Sequence, residues 1–125
     1  MPTAVIAARR TATRSALRAV LEREPRVVSA GTAPDLSALI RLLRGEPDVV
    51  VVEASVLGEA GVRRLPTLSA LAPHAAFIVV GMGDHPGFAA RARAVGAVAY
   101  VRLDQAAERL PHAVLSVASA RTAEL

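Results

Sequence analysis

The sequence predicts an α/β domain in which parallel strands form one doubly wound sheet with helices on both faces, a three-layer (βα)5 arrangement. Three observations lead there. Short β-branched runs alternate with amphipathic stretches from end to end. The run Asp48–Val52 holds four consecutive valines, the pattern of a strand buried on both faces of a parallel sheet. The connections are short, as strand–helix units require. At 125 residues the chain fits one domain, residues 1–125, without internal linker, repeat or low-complexity segment.

The first strand is expected at Thr3–Ala8. Leu17, Val20 and Leu21 then recur at helical spacing, and Pro25 ends that helix because it lacks an amide hydrogen and disfavours helix in the residue before it. A second strand follows at Arg26–Ala30. Asp35 is the expected N-cap of a helix burying Leu36, Leu39, Ile40 and Leu43, which Gly45 ends. After the valine strand, a loop through Gly58 and Gly61 leads to a helix with Val62, Leu65 and Leu68 on one side. Phe77–Val80 is a fourth, buried strand, and Gly81–Gly87 is rich in turn residues. Phe88–Val95 reads as an alanine-rich helix closed by Gly96 in the left-handed C′ position. Val98–Leu103 is the last strand. The final helix runs from about Ala106 to Ala120, with Pro111 predicting a late or irregular beginning.

Composition excludes several functions. There are no cysteines, so disulfides, thiol catalysis and cysteine–metal sites are ruled out. No apolar run approaches the length of a membrane span, and no basic segment precedes the apolar amino terminus as in a signal peptide, so a soluble cytoplasmic protein is expected. The net charge is +4, and all 15 basic residues are arginine. A basic balance can mark nucleic-acid binding, but these arginines are scattered over predicted helices. Phe77, Phe88 and Tyr100 are the only aromatics, too few for a base-stacking surface. His74, His85 and His112 have neither helical i, i+4 spacing nor an acidic cluster beside them, so no metal site or general base is assigned to them.

In an open parallel sheet, ligands gather at the carboxyl ends of the strands. Here those ends carry Arg9 and Arg10, Ala30–Thr32, Glu53, Gly81–Met82 and Leu103–Asp104. The stretches Leu17–Pro25, Pro47–Glu53 and Ala94–Asp104, in order and at matching spacing, resemble response-regulator receiver domains of the NarL/FixJ type that precede a LuxR-like helix-turn-helix. The resemblance spans nearly the whole chain and implies a CheY-like, flavodoxin-like sheet with strand order 2-1-3-4-5. It also implies a phosphorylation site, and at each of its positions this sequence departs. Arg9 and Arg10 stand where the family has an acidic pair, Glu53 where it has the phosphoacceptor aspartate, Gly81 where it has Thr or Ser, and Leu103 where it has lysine. Val56-Leu57-Gly58 replaces the usual Met-Pro-Gly, although Gly61 is kept. Tyr100 matches the family's aromatic switch.

The chemistry follows from those residues. Phosphoryl transfer to a carboxylate needs a divalent metal held by carboxylates, and guanidinium groups repel such an ion. No Mg²⁺ and no other cofactor is expected. Without Lys and Thr, nothing steadies the phosphoryl oxygens, and Glu53 is one methylene longer than aspartate. Arg9 or Arg10 is expected to fork onto Glu53 and neutralise the pocket in place of a metal; the alternative is that the arginines project into solvent. A second use of the site is anion or small-molecule sensing, with Gly81, Gly83 and Gly87 leaving room beside the arginines. Gly81 has no side chain to relay a signal, so Tyr100 is either locked in one rotamer or uncoupled from the pocket.

Partners are suggested by the last two helices. Leu110, Ala113, Val114 and Val117 form the inward stripe of the final helix, which leaves Leu115 and Ala118 outside it. With Arg91 among the alanines of the preceding helix, these residues are a candidate homodimer face. The expected function is a phosphorylation-independent regulatory domain of a bacterial transcriptional regulator, with DNA contacted only through an output domain outside this chain. The alternatives are the ligand sensor or a stand-alone interaction adaptor. No nucleophile or acid–base pair suggests an enzyme.

Overall fold

The four valines Val49–Val52 are all completely buried, at the centre of the sheet. They belong to β3 (Val49–Glu53), which lies between β1 (Thr3–Ala7) and β4 (Ala76–Gly81), with β2 (Val28–Ala33) and β5 (Ala97–Arg102) at the edges. All pairings are parallel, in the order β2-β1-β3-β4-β5. The structure is a computed structural model that describes residues 1–82 and 86–123, with the side chains of Pro86 and of residues 119–123 excepted. Gly83 and His85 therefore lie outside the described residues.

Among the described residues five α-helices cover the sheet: α1 (Thr11–Glu22), α2 (Leu36–Leu43), α3 (Leu65–Leu71), α4 (Pro86–Ala94) and α5 (Ala106–Ala123). Successive strand residues point to opposite faces, so one strand feeds two cores. Ala4, Ile6, Val49, Val51, Ile78 and Val80 pack against Leu17, Val20 and Leu21 of α1 and Leu110 and Val114 of α5. Val5, Ala7, Val50, Val52, Phe77 and Val79 pack against Leu39 and Leu43 of α2, Leu65 and Leu68 of α3 and Ala92 of α4. Each fully buried valine, leucine, isoleucine or phenylalanine among them contributes roughly 1.5–3 kcal/mol of transfer free energy.

Local signals set the boundaries. Asp35 is the N-cap of α2, its Oδ1 accepting the Ala38 N–H at 2.8 Å. Asp35→Ala should destabilise the domain by about 1 kcal/mol and Asp35→Ser should not, which thermal denaturation of the two variants would read. Gly96 follows α4 with φ of 114°, the left-handed backbone that favours glycine. At the end of α2 the left-handed residue is Glu46 (φ 54°) instead of Gly45.

Two expectations are corrected. β2 begins at Val28 and runs to Ala33, not Arg26–Ala30. The reason is a turn: the Arg26 N–H and its Nε both donate to Glu24 Oε1, and the Val27 N–H donates to the Glu24 carbonyl. Residues 24–27 are thereby held out of the ladder. Pro111 does not delay α5. A 3₁₀ turn at Leu103–Gln105 leads directly into Ala106, and Pro111 sits within the helix, where it leaves one carbonyl without its intrahelical donor.

Candidate functional site

At the carboxyl end of β1 the chain stays buried through Ala7 and Ala8, and only then emerges at Arg9 and Arg10, both exposed. Arg14, in the first turn of α1, holds this corner. Its Nη1 donates to the carbonyls of Ala8 (2.9 Å) and Arg9 (3.2 Å), and its Nη2 lies 3.4 Å from Thr11 Oγ1. A guanidinium is thus fixed at the end of β1, but it comes from α1. Sequence reasoning missed Arg14 because nothing in its neighbourhood separates it from the other helical arginines.

At the end of β3, Glu53 is half-buried and serves as the N-cap of a 3₁₀ turn at Ala54–Leu57. Its Oε2 accepts the Ser55 N–H, and its Oε1 accepts the Ser55 hydroxyl at 2.6 Å. The expected Arg–Glu53 fork is therefore not formed: among the described residues, neither Arg9 nor Arg10 takes part in an ion pair. The local bonds win because they immobilise only a short glutamate side chain and satisfy an N–H that the turn would leave without a partner. Bridging from β1 would fix a whole arginine side chain for one surface pair.

At the end of β4, the Tyr100 ring lies directly over Gly81. A Cβ placed on Gly81 would stand 2.2 Å from Tyr100 Oη and 2.8 Å from Cε2 and Cζ. Tyr100 pairs in register with Val79, two residues before Gly81 and so on the same sheet face. The ring is partly buried against the α2–α3–α4 core and meets Phe88 edge-on, with centroids 5.5 Å apart at 64°. The room expected beside Gly81 for a small ligand is filled by this ring.

After β5, Leu103 is half-buried against the α1–α5 core, where an apolar side chain belongs. The cation of this corner is Arg102, which forks onto Asp104 at 3.1 and 2.7 Å. That pair is substantially exposed and contributes little to stability. Glu24 has a carboxyl held below the usual carboxylate range, chiefly by its side-chain hydrogen bond from Arg26. It lies where β2 begins, at the opposite end of the sheet from Glu53.

The candidate partner residues divide between two sides. Arg91 is exposed on α4, over one face of the sheet, whereas Leu115 and Ala118 lie on α5, over the other. Leu115 is not left outside the apolar stripe: it is half-buried and packs against the α1–α5 core with Ala113 and Val117. Ala118 is also half-buried.

No protein-family model matches the sequence, and no curated protein sequence matches it. Solved structures do resemble the fold. The signal receiver domain of the response regulator NarL from Mycobacterium tuberculosis superposes with a TM-score of 0.84 at 20% identity, covering 94% of this chain and 96% of that one. A LuxR-family two-component response regulator from Aurantimonas gives 0.86 at 23% identity, covering 97% and 87%. The RcsB response regulator of Salmonella typhimurium gives 0.86 at 21% identity over 95% of this chain, which spans only 60% of that one. What these likenesses establish is the fold, the CheY-like receiver architecture with five parallel strands in order 2-1-3-4-5.

The divalent ion that such a fold implies does not fit the residues present. A hard cation needs several oxygen ligands. These strand ends offer Glu53, already bonded to Ser55, with the methyl group of Ala8 and the guanidinium groups of Arg9, Arg10 and Arg14 around the end of β1. The donor set is cationic where the ion would need carboxylates.

Proposed function

We propose that this domain is a phosphorylation-independent regulatory module of the receiver type, belonging to a cytoplasmic bacterial transcriptional regulator and acting through dimerisation or partner contacts. It is not an enzyme in this reading, and any DNA is contacted by an output domain outside the chain. The observation that carries the reading is the Tyr100 ring seated over Gly81. A receiver signals by coupling an acyl phosphate to the conformation of its switch residues. Here the switch position on β4 has no side chain to move, and the aromatic partner already fills the space. The conformational state is fixed by packing, with no input from phosphate.

Incubation with acetyl phosphate and Mg²⁺, followed by intact-mass measurement, tests this reading. No phosphoryl adduct is expected, under conditions in which a receiver with an intact acidic pair is modified. An adduct on Glu53 would overturn the reading. The dimer is tested separately by light scattering across a concentration series. Mass should rise toward that of two chains, and a monomer at every concentration would leave partner contacts as the route of control.

A further inference from the structure

β2 (Val28–Ala33) forms one edge of the sheet and contains no charged residue and no proline. Edge strands are ordinarily guarded by such residues, because their outward amides are open to another strand. The Val28 N–H donates to the Pro2 carbonyl and the Ala33 carbonyl accepts the Ala8 N–H, so both residues face β1. Alternation along the strand then turns the N–H and C=O of Ser29 and of Thr32 away from the sheet. Ala30 and Gly31 lie between them as a bulge, since the β1 register passes from Ala4 opposite Ser29 to Ile6 opposite Thr32. Among the described residues no other segment bonds to the outward amides.

We infer that β2 is a self-pairing edge, to which a second copy of this chain adds antiparallel and so joins two sheets into one. This rests on the dimerisation named above as a route of control and supplies its surface. Self-complementarity selects the second copy as occupant. A two-fold axis between Ala30 and Gly31 sets Ser29 of one copy opposite Thr32 of the other, so the outward amides of each meet those of its partner. The same register sets Arg26 opposite Asp35 at both ends of the junction, an opposite-charge pair across strands. Arg26 is exposed and uses Nε and Nη2 on Glu24, which leaves Nη1. Asp35 is exposed, caps α2 through Oδ1 and, among the described residues, is in no ion pair. Amides and charges therefore agree on one register, an agreement that pairing with β1 does not require. Val28, 39% exposed, gains cover from the added strand. A bulge ordinarily turns an edge away from a partner. Here the two-fold sets bulge against bulge and the extra residue is matched, a match that a foreign strand lacks.

The test uses the whole chain, with sedimentation equilibrium as the measure of dimerisation. Ser29→Pro deletes one outward N–H and leaves the β1 ladder intact. It should weaken the dimer more than about tenfold with an unchanged far-ultraviolet spectrum, whereas Arg91→Glu, on α4, should change it less than about threefold. The chain has no cysteine, so the register can be read by oxidation. Cα atoms in a hydrogen-bonded antiparallel pair lie roughly 5.5 Å apart, within disulfide reach. Ser29→Cys and Thr32→Cys chains, mixed and oxidised, should therefore join 29 to 32 well beyond the statistical share, as intact mass would show. Should the proline unfold the chain, this cross-link decides. A monomer at every concentration, or cross-links without preference for 29 to 32, would overturn the inference. A dimer that survives Ser29→Pro but is lost in Arg91→Glu would overturn the edge and leave dimerisation standing. An adduct on Glu53 would overturn the reading of the phosphorylation site and leave the edge untouched.

Discussion

Gly81→Thr is expected to expel the Tyr100 ring and to destabilise the domain by about 2–3 kcal/mol, toward the upper end of overpacking costs. The Cβ alone would fall 2.2 Å from the hydroxyl and 2.8 Å from two ring carbons, so a small adjustment cannot absorb it. A tyrosine ring is rigid, and it can leave only by rotating about χ1, which breaks its edge-on packing on Phe88. The chain supplies its own reporter, because Tyr100 is the one tyrosine and there is no tryptophan. Near-ultraviolet circular dichroism of the tyrosine should therefore collapse in Gly81→Thr while the far-ultraviolet spectrum holds. Tyr100→Ala removes the clash, so adding Gly81→Thr in that background should be nearly neutral, a coupling of about 2 kcal/mol in a double-mutant cycle. An unchanged tyrosine signal in Gly81→Thr, or additive effects in the cycle, would show that the two positions are not interlocked.

Much of the fold was legible because it depends on residues adjacent in sequence. Val49–Val52 announce a strand covered on both faces, Asp35 caps the helix it precedes, and Gly96 supplies the left-handed residue after α4. Helical spacing identified Leu17, Val20 and Leu21 as the buried side of α1. Errors appeared where a side chain diverted the backbone or chose among partners. Glu24 pulls Arg26 and Val27 into a turn and shifts the start of β2. Glu53 has a local serine and distant arginines on offer, and its choice depends on chain entropy that no spacing rule contains.

The site was legible in its residue types but not in its geometry. That arginines follow the first strand and a glutamate ends the third is plain from the letters alone. That Gly81 is filled by Tyr100 instead of empty requires the β4–β5 register, which sets Val79 opposite Tyr100 across twenty intervening residues. A glycine in a vacated site reads as open space until the neighbouring strand is aligned with it. Arg14 was hidden for a related reason: its role depends on the loop from Ala8 to Arg10 curling back under α1.

Phe77→Ala should have the largest effect of any single truncation, about 3–5 kcal/mol. Phe77 is the largest fully buried side chain and is 2% exposed. Its strand partners are Val50 and Ala97, and the core around it is built of valine, leucine and alanine. β-branched residues on adjacent strands have little rotamer freedom with which to fill the void. Since small domains have about 5–15 kcal/mol of net stability, the loss is a large fraction of the total. The urea midpoint should fall by roughly 2 M for a dependence near 2 kcal/mol per molar. The tyrosine and far-ultraviolet signals should move together, because the defect lies in the core that both depend on. The pattern should be opposite to that of Gly81→Thr, which takes the tyrosine signal and spares the backbone. If Phe77→Ala also silenced Tyr100 while leaving the fold intact, the ring would be held by the core beneath it. Tyr100 would then be positioned by general packing of that sheet face, and the glycine at position 81 would be incidental to the lock.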